Sequence, residues 1–197
     1  MEFFGTQNKV VSVDDIATWL QESMIDAEIE SDHEDFPGDW EEMTLFLESG
    51  DSVVEIEKIT CDSGNFREAI EETVRTLLDD QRPVKPASAV KWICQYMKSV
   101  KVIYRFRPMP GIDTELGFEL FNEVWTRLKN IEPGIVHCVD EGFTNEDGAQ
   151  ITWEFPESSS GTVKAAVLEA EGGSWREFQL DLANQEQQSS FLAGKCP

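Results

Sequence analysis

The side chains best equipped for chemistry are the two histidines, and both sit among acids: Asp32-His33-Glu34-Asp35 and His137-Cys138-Val139-Asp140-Glu141. Imidazole, thiolate and carboxylate together form the donor set of a transition-metal site. Neither segment has the His-Glu-x-x-His spacing that puts two imidazoles on one helix turn. A metal would therefore need the two segments to meet in space. The plainer reading is one loop histidine and one strand histidine, and no metal or other cofactor is expected. His137 and Cys138, as neighbours on a strand, point to opposite faces, which argues against a thiolate–imidazole pair. The four cysteines (Cys61, Cys94, Cys138 and Cys196) form no C-x-x-C unit, against a zinc ribbon or a redox motif. Cys94 and Cys138 read as small buried hydrophobes.

Other chemical signatures fail on spacing. TNEDGAQ, residues 144–150, has the composition of a calcium loop. With Gly148 in the glycine position, Phe143 would stand where the first carboxylate belongs, so the segment reads as a polar hairpin turn. There is no phosphate-binding glycine loop, nucleophile elbow or dinucleotide fingerprint. Carboxylates are so abundant that any choice of a hydrolytic pair is arbitrary. No catalytic residue is assigned from these patterns.

What is non-random is the charge. The chain carries 16 cations and 39 acids over 197 residues, for a net charge of −23. Residues 1–80 hold four cations and 23 acids, residues 81–110 seven cations and no acid, and residues 111–197 five cations and 16 acids. Between Lys9 and Lys58 there is no Lys or Arg, against sixteen acids. Within that gap ESDHEDFPGDWEEM, residues 30–43, holds seven carboxylates interleaved with aromatics. Acids beside Phe36, Trp40, Met43 and Phe46 combine steering with anchoring, the composition of a docking surface for a basic protein. The candidate partner-binding residues are Asp32, Glu34, Asp35, Phe36, Asp39, Trp40, Glu41 and Glu42. Such a chain repels nucleic acid and anionic membrane. An immunity protein, an enzyme inhibitor or a DNA mimic would have this charge map. Nothing in it sets an oligomeric state.

The competing surface is basic. In VKVIYRFR, residues 100–107, Lys101, Arg105 and Arg107 alternate with Val102, Tyr104 and Phe106, so one strand face is cationic. With Lys91 and Lys98 near in sequence, that face is a candidate anion site for a small-molecule-binding domain or an enzyme. Against it stands neutralisation by cross-strand acids such as Glu55 and Glu57.

The elements that must position these groups follow from periodicity. Ser12 and Asp15 resemble a capping box, and Ile16, Trp19, Leu20 and Met24 fall at helical spacing, predicting a helix over 13–24. A short strand is expected around 26–31. Met43, Leu45 and Leu47, then Val54 and Ile56, alternate about Ser49-Gly50-Asp51 and predict a hairpin. Helices are predicted from Phe66 to Leu78 and after Pro86, then the strand at 100–107, then a helix capped by Asp113 or Thr114. Two hairpins should follow, 134–140 with 149–155 and 162–170 with 174–182. The expected fold is α+β: a mixed, largely antiparallel sheet with helices on one face, including a β-α-β unit around residues 100–140. Residues 1–182 are expected to form a single domain and 183–197 a flexible polar tail. No apolar run reaches the ~20 residues of a membrane span. MEFFGTQNKV lacks the basic start and apolar core of a signal peptide, so a cytoplasmic location is expected.

Overall fold

The computed structural model describes residues 1–7, 9, 11–32, 38–79, 81, 83–169 and 173–197. In chain order they form β1 (Glu2–Gly5), α1 (Val13–Glu22), β2 (Ala27–Ser31), β3 (Glu42–Leu47), β4 (Ser52–Thr60), α2 (Phe66–Leu77) and α3 (Ala87–Tyr96). Then come β5 (Val102–Pro108), α4 (Glu115–Ile131), β6 (Gly134–Cys138), β7 (Gly142–Thr144), β8 (Thr162–Leu168), β9 (Trp175–Asp181) and α5 (Gln185–Leu192). This is an α+β fold with a largely antiparallel strand arrangement. The chain divides into two compact units, Met1–Ser63 with Lys101–Pro133, and Gly64–Val100 with Gly134–Pro197. Among the described residues no helix is long and apolar enough to cross a membrane.

The first unit is a sheet in the order β2-β3-β4-β5-β1, antiparallel at each of these pairings. Its first helix starts where the sequence asks. The Ser12 hydroxyl accepts from Asp15 N at 3.1 Å, and the Asp15 carboxylate accepts from Ser12 N at 2.8 Å, a complete capping box. The Ser12 N–H and the Ser12 hydroxyl, which both donate to the Asp15 carboxylate, hold that carboxyl below its ordinary range. Ile16, Trp19 and Leu20 then turn inward. The hairpin places Met43 opposite Ile56 and Leu45 opposite Val54, and β2 adds Ile29 opposite Leu45. Thr114 rather than Asp113 caps α4, its hydroxyl accepting from Gly117 N at 3.0 Å. Leu120, Val124 and Leu128 are buried at i, i+4 and i+8. Trp125 sets its edge against Phe106 at 5.2 Å and Phe3 at 6.1 Å, which docks α4 on the Tyr104/Phe106 side of the sheet.

Strand β1 is absent from the sequence expectation. Its four residues, EFFG, do not alternate, because Phe3 and Phe4 are both fully buried, one on each face. It pairs with β5, Phe3 opposite Tyr104, so both edges of β5 are taken, by β4 and β1. The strand–helix–strand succession around residues 100–140 is present as β5, α4 and β6.

The second unit differs more from expectation. Strand β6 pairs with β7 about a turn at Asp140, which takes a positive φ of 66°. Residues 149–155 form no strand. They pair irregularly, through the bridges Thr144 with Gln150 and Gln150 with Ala165 and scattered backbone bonds such as Ile151 N to Phe143 O at 2.8 Å and Glu154 N to Glu141 O at 3.1 Å. Side chains have taken some of the backbone groups a regular ladder would use. Asn145 Oδ1 accepts from Asp147 N and Ala149 N at 3.1 and 2.8 Å, and Thr152 Oγ1 accepts from Phe143 N at 2.7 Å. The hairpin β8–β9 forms as expected, from Thr162 opposite Asp181 to Leu168 opposite Trp175. Beyond it, where a loose tail was expected, lies α5, capped by Asn184, which accepts from Glu186 N and Gln187 N at 3.0 and 3.1 Å. Phe191 is fully buried with Ala165, Val167 and Leu180. One anchor in an otherwise polar segment is enough to dock it.

Candidate functional site

Directly opposed residues of a ladder share a face. The register of the first unit therefore collects Glu28 and Glu30 of β2, Glu42 of β3, Glu55 and Glu57 of β4, Arg105 and Arg107 of β5 and Glu2 of β1 on one side. Tyr104, Phe106, Met43 and Leu45 occupy the other side, with the helices.

On the β4–β5 half the charges meet. Arg105 Nε donates to Glu2 Oε1 at 2.7 Å and its Nη1 lies 3.4 Å from Glu57 Oε2. Arg107 pairs with Glu55. Burial works against the Arg105 charge, but its bonds to Glu2 and Glu57 more than offset this and hold it above its ordinary value. The neutralisation by Glu55 and Glu57 weighed from the sequence is what the register produces. Lys101 stands one residue before β5, exposed.

On the β2–β3 half they do not meet. Glu42 lies opposite Glu57, whose carboxylate already serves Arg105, and Glu30 lies opposite Thr44. Among the described residues no cation pairs with Glu28, Glu30 or Glu42. A shallow depression of about 280 Å³ opens here, lined by Glu30, Ser31, Asp32, Glu42, Thr44 and Glu55. Asp32 is held in place by Glu41 N, which donates to its carboxylate oxygens at 3.1 and 3.3 Å. Half-buried Phe46, opposite Glu28, is the aromatic that shares this face.

Trp40 does not. It is fully buried: its indole nitrogen donates to Val11 O at 2.7 Å and its ring lies 6.2 Å from Tyr104. The expectation that Trp40 anchors a partner is corrected accordingly, and Met43 is buried as well. Trp40 instead pins residues 38–42 from beneath, leaving Asp39, Glu41 and Glu42 exposed. Glu34, Asp35 and Phe36, together with His33, lie outside the described residues.

Lys58 completes this substructure, and sequence reading passed over it. Its ammonium donates to Gly38 O at 2.9 Å and lies 4.4 Å from the centre of the Trp40 ring. Burial pushes its pKa below the ordinary lysine value, while Asp39, Asp32 and Glu41 pull it back. The signal was there: Lys58 continues the inward phase of Val54 and Ile56 along β4. A cavity of about 350 Å³, lined by Lys9, Asp39, Trp40, Lys58, Thr60 and Asp62 among others, lies beside it.

A second buried charge is structural. Glu132, 2% exposed, accepts from Gln7 N and, at 3.4 Å, from Lys9 N. Burial raises its pKa, with those two bonds opposing the rise. A β-carbon on Gly5 would sit 2.6 Å from its carboxylate, so only glycine fits there.

In the second unit His137 Nε2 lies 3.3 Å from Glu154 Oε2, and the ring stacks on Phe143 with centroids 4.4 Å apart. Among the described residues no three His, Cys, Asp or Glu side chains gather as a metal site would require.

No protein-family model, curated protein or solved structure matches this chain. The functional reading rests on the surface itself.

Proposed function

We propose that this chain is an interaction protein that docks a cationic protein partner on the β2–β3 half of its charged sheet face, in the manner of an immunity protein, an inhibitor or a DNA mimic. One observation carries the reading: Glu30, Asp32, Glu42 and Glu55 converge on a single depression, and Glu42 directly opposes another glutamate. Like charges opposed across strands destabilise a sheet. A Lys or Arg side chain seated in the depression relieves that repulsion, so the partner's charge is worth more here than at an isolated acid. Phe46 adds apolar surface beside it, and the surrounding exposed acids steer a cation toward the face. Nothing favours anion binding at Arg105 and Arg107, which are engaged by Glu2, Glu55 and Glu57.

The test uses a fluorescent Lys/Arg-rich decapeptide and stopped-flow mixing at low salt. One variant carries Glu30→Gln, Asp32→Asn, Glu41→Gln and Glu42→Gln. A charge-matched control carries Glu68→Gln, Glu72→Gln, Glu119→Gln and Glu157→Gln. The first should slow association by about tenfold or more, the scale of electrostatic steering, and the control far less. Equal slowing in both would reduce the effect to net charge and reject the site.

A further inference from the structure

The acid-free stretch from residue 81 to 112 supplies Arg105 and Arg107 to the ion pairs of the first unit, but its helical part, α3, carries Lys91, with Lys98 just beyond. Along α3 the residues Ala89, Val90 and Ile93 turn inward, leaving Lys91, Gln95 and, one turn on, Lys98 exposed. Trp92 lies at the margin, half-buried. It is braced on two sides: Tyr96 packs at 5.0 Å between ring centres, and Trp175 of β9 meets it edge-on, also at 5.0 Å. Tyr96 is itself fixed, its hydroxyl donating to Glu146 at 2.9 Å. An indole held this way offers its surface without losing rotamer freedom on binding.

Next to it lies a cavity of about 500 Å³ lined by Lys91, Trp92, Cys94, Gln95, Lys98 and Leu168, with Ser88. Among the described residues no acid lines it. Lys98 is held over it by a bond from Nζ to Gln95 Oε1 at 3.0 Å. Burial pushes the Cys94 thiol up, against its backbone bond and Lys98, so it presents a neutral wall rather than a thiolate. An aromatic and an aliphatic side chain lining one cavity together with two exposed lysines is the composition of a pocket for a small amphiphilic anion.

We infer that this pocket of the second unit binds a small anion with a flat or short apolar body, its carboxylate, sulfonate or phosphate head between Lys91 and Lys98 and its body on Trp92 and Leu168. This stands independently of the acidic face, on different residues and for a ligand of opposite charge.

The experiment titrates the full chain with 8-anilinonaphthalene-1-sulfonate, an aromatic sulfonate, and with N-phenyl-1-naphthylamine, its uncharged counterpart. Dye fluorescence and tryptophan quenching are followed together. The sulfonate should saturate at one site. The neutral dye should bind at least about tenfold more weakly, the scale of one charge-assisted hydrogen bond. The Lys91→Gln/Lys98→Gln variant should lose a similar factor for the sulfonate with its thermal unfolding unchanged. Trp92→Phe should keep dye binding while losing most of the tryptophan quenching. Equal binding of the two dyes, undiminished sulfonate binding by the lysine variant, or no saturable binding at all would overturn the inference.

Discussion

Two halves of one sheet face carry the same kind of residue and end in opposite electrostatic states. On the β4–β5 half, Glu55 and Glu57 alternate along β4 and Arg105 and Arg107 along β5, and the antiparallel register sets Glu55 opposite Arg107 and Glu57 opposite Arg105. On the β2–β3 half the same alternation delivers Glu28, Glu30 and Glu42 to the surface, but the strands that face them offer threonine, phenylalanine and another glutamate. Register, rather than composition, decides which of these acids are paired inside the fold and which stay, among the described residues, without a cation. Lys58, beside the acidic half, lies on the other side of β4, where its ammonium is tied to Gly38 and to Trp40.

The largest test of that division is Arg105→Met. It removes the Arg105 charge that serves half-buried Glu2 and Glu57, and leaves Glu57 opposite Glu42 without that cation. Unfolding by urea should show a loss of about 2–3 kcal/mol, between the scale of exposed and fully buried pairs. Arg107, 69% exposed against 34% for Arg105, should lose less than about 0.5 kcal/mol in the same change. Equal losses would mean that burial does not set the value of these pairs. Next in size is Lys58→Met, which leaves the Gly38 carbonyl without its donor and should cost about 1–2 kcal/mol. The same variant should speed amide exchange at residues 38–41. If exchange there is unaltered, the ammonium does not hold the acidic loop. The smallest effect has the opposite sign. Glu42→Gln removes a like-charge opposition and should stabilise by about 0.2–1 kcal/mol at low salt, a gain that shrinks as salt screens the face. A destabilised Glu42→Gln protein would mean that Glu42 has a favourable partner and that the face is not frustrated.

Much of this was legible in the chain. The capping box at Ser12, the β3–β4 hairpin and the α4 stripe each rest on local spacing, and local spacing suffices for elements whose one side is buried. The pairing of Arg105 and Arg107 with Glu57 and Glu55 was legible because alternation on two strands predicts it once they are neighbours. Strand β1 was not, since burial on both sides erases alternation in a four-residue strand. Residues 149–155 alternate cleanly, yet side-chain bonds from Asn145 and Thr152 turn the backbone away from a ladder. In the site, the exposure of Asp32, Asp39, Glu41 and Glu42 follows from their charge. Trp40 was misplaced because an aromatic among acids looks the same in sequence whether it faces solvent or the core. Only the partner of its indole, a backbone carbonyl 29 residues away, tells the two apart.

Residue-resolved binding is the most direct measurement. Protein labelled with nitrogen-15 is titrated at low salt with the Lys/Arg-rich decapeptide, and amide shifts are followed. Saturable shifts should concentrate at residues 28–32 and 41–44, with 103–107 nearly unmoved, and should vanish at high salt. Shifts centred on β5, spread evenly over both units, or missing at β2 and β3 would contradict the claim that the unpaired half of the face is where this protein meets a cation.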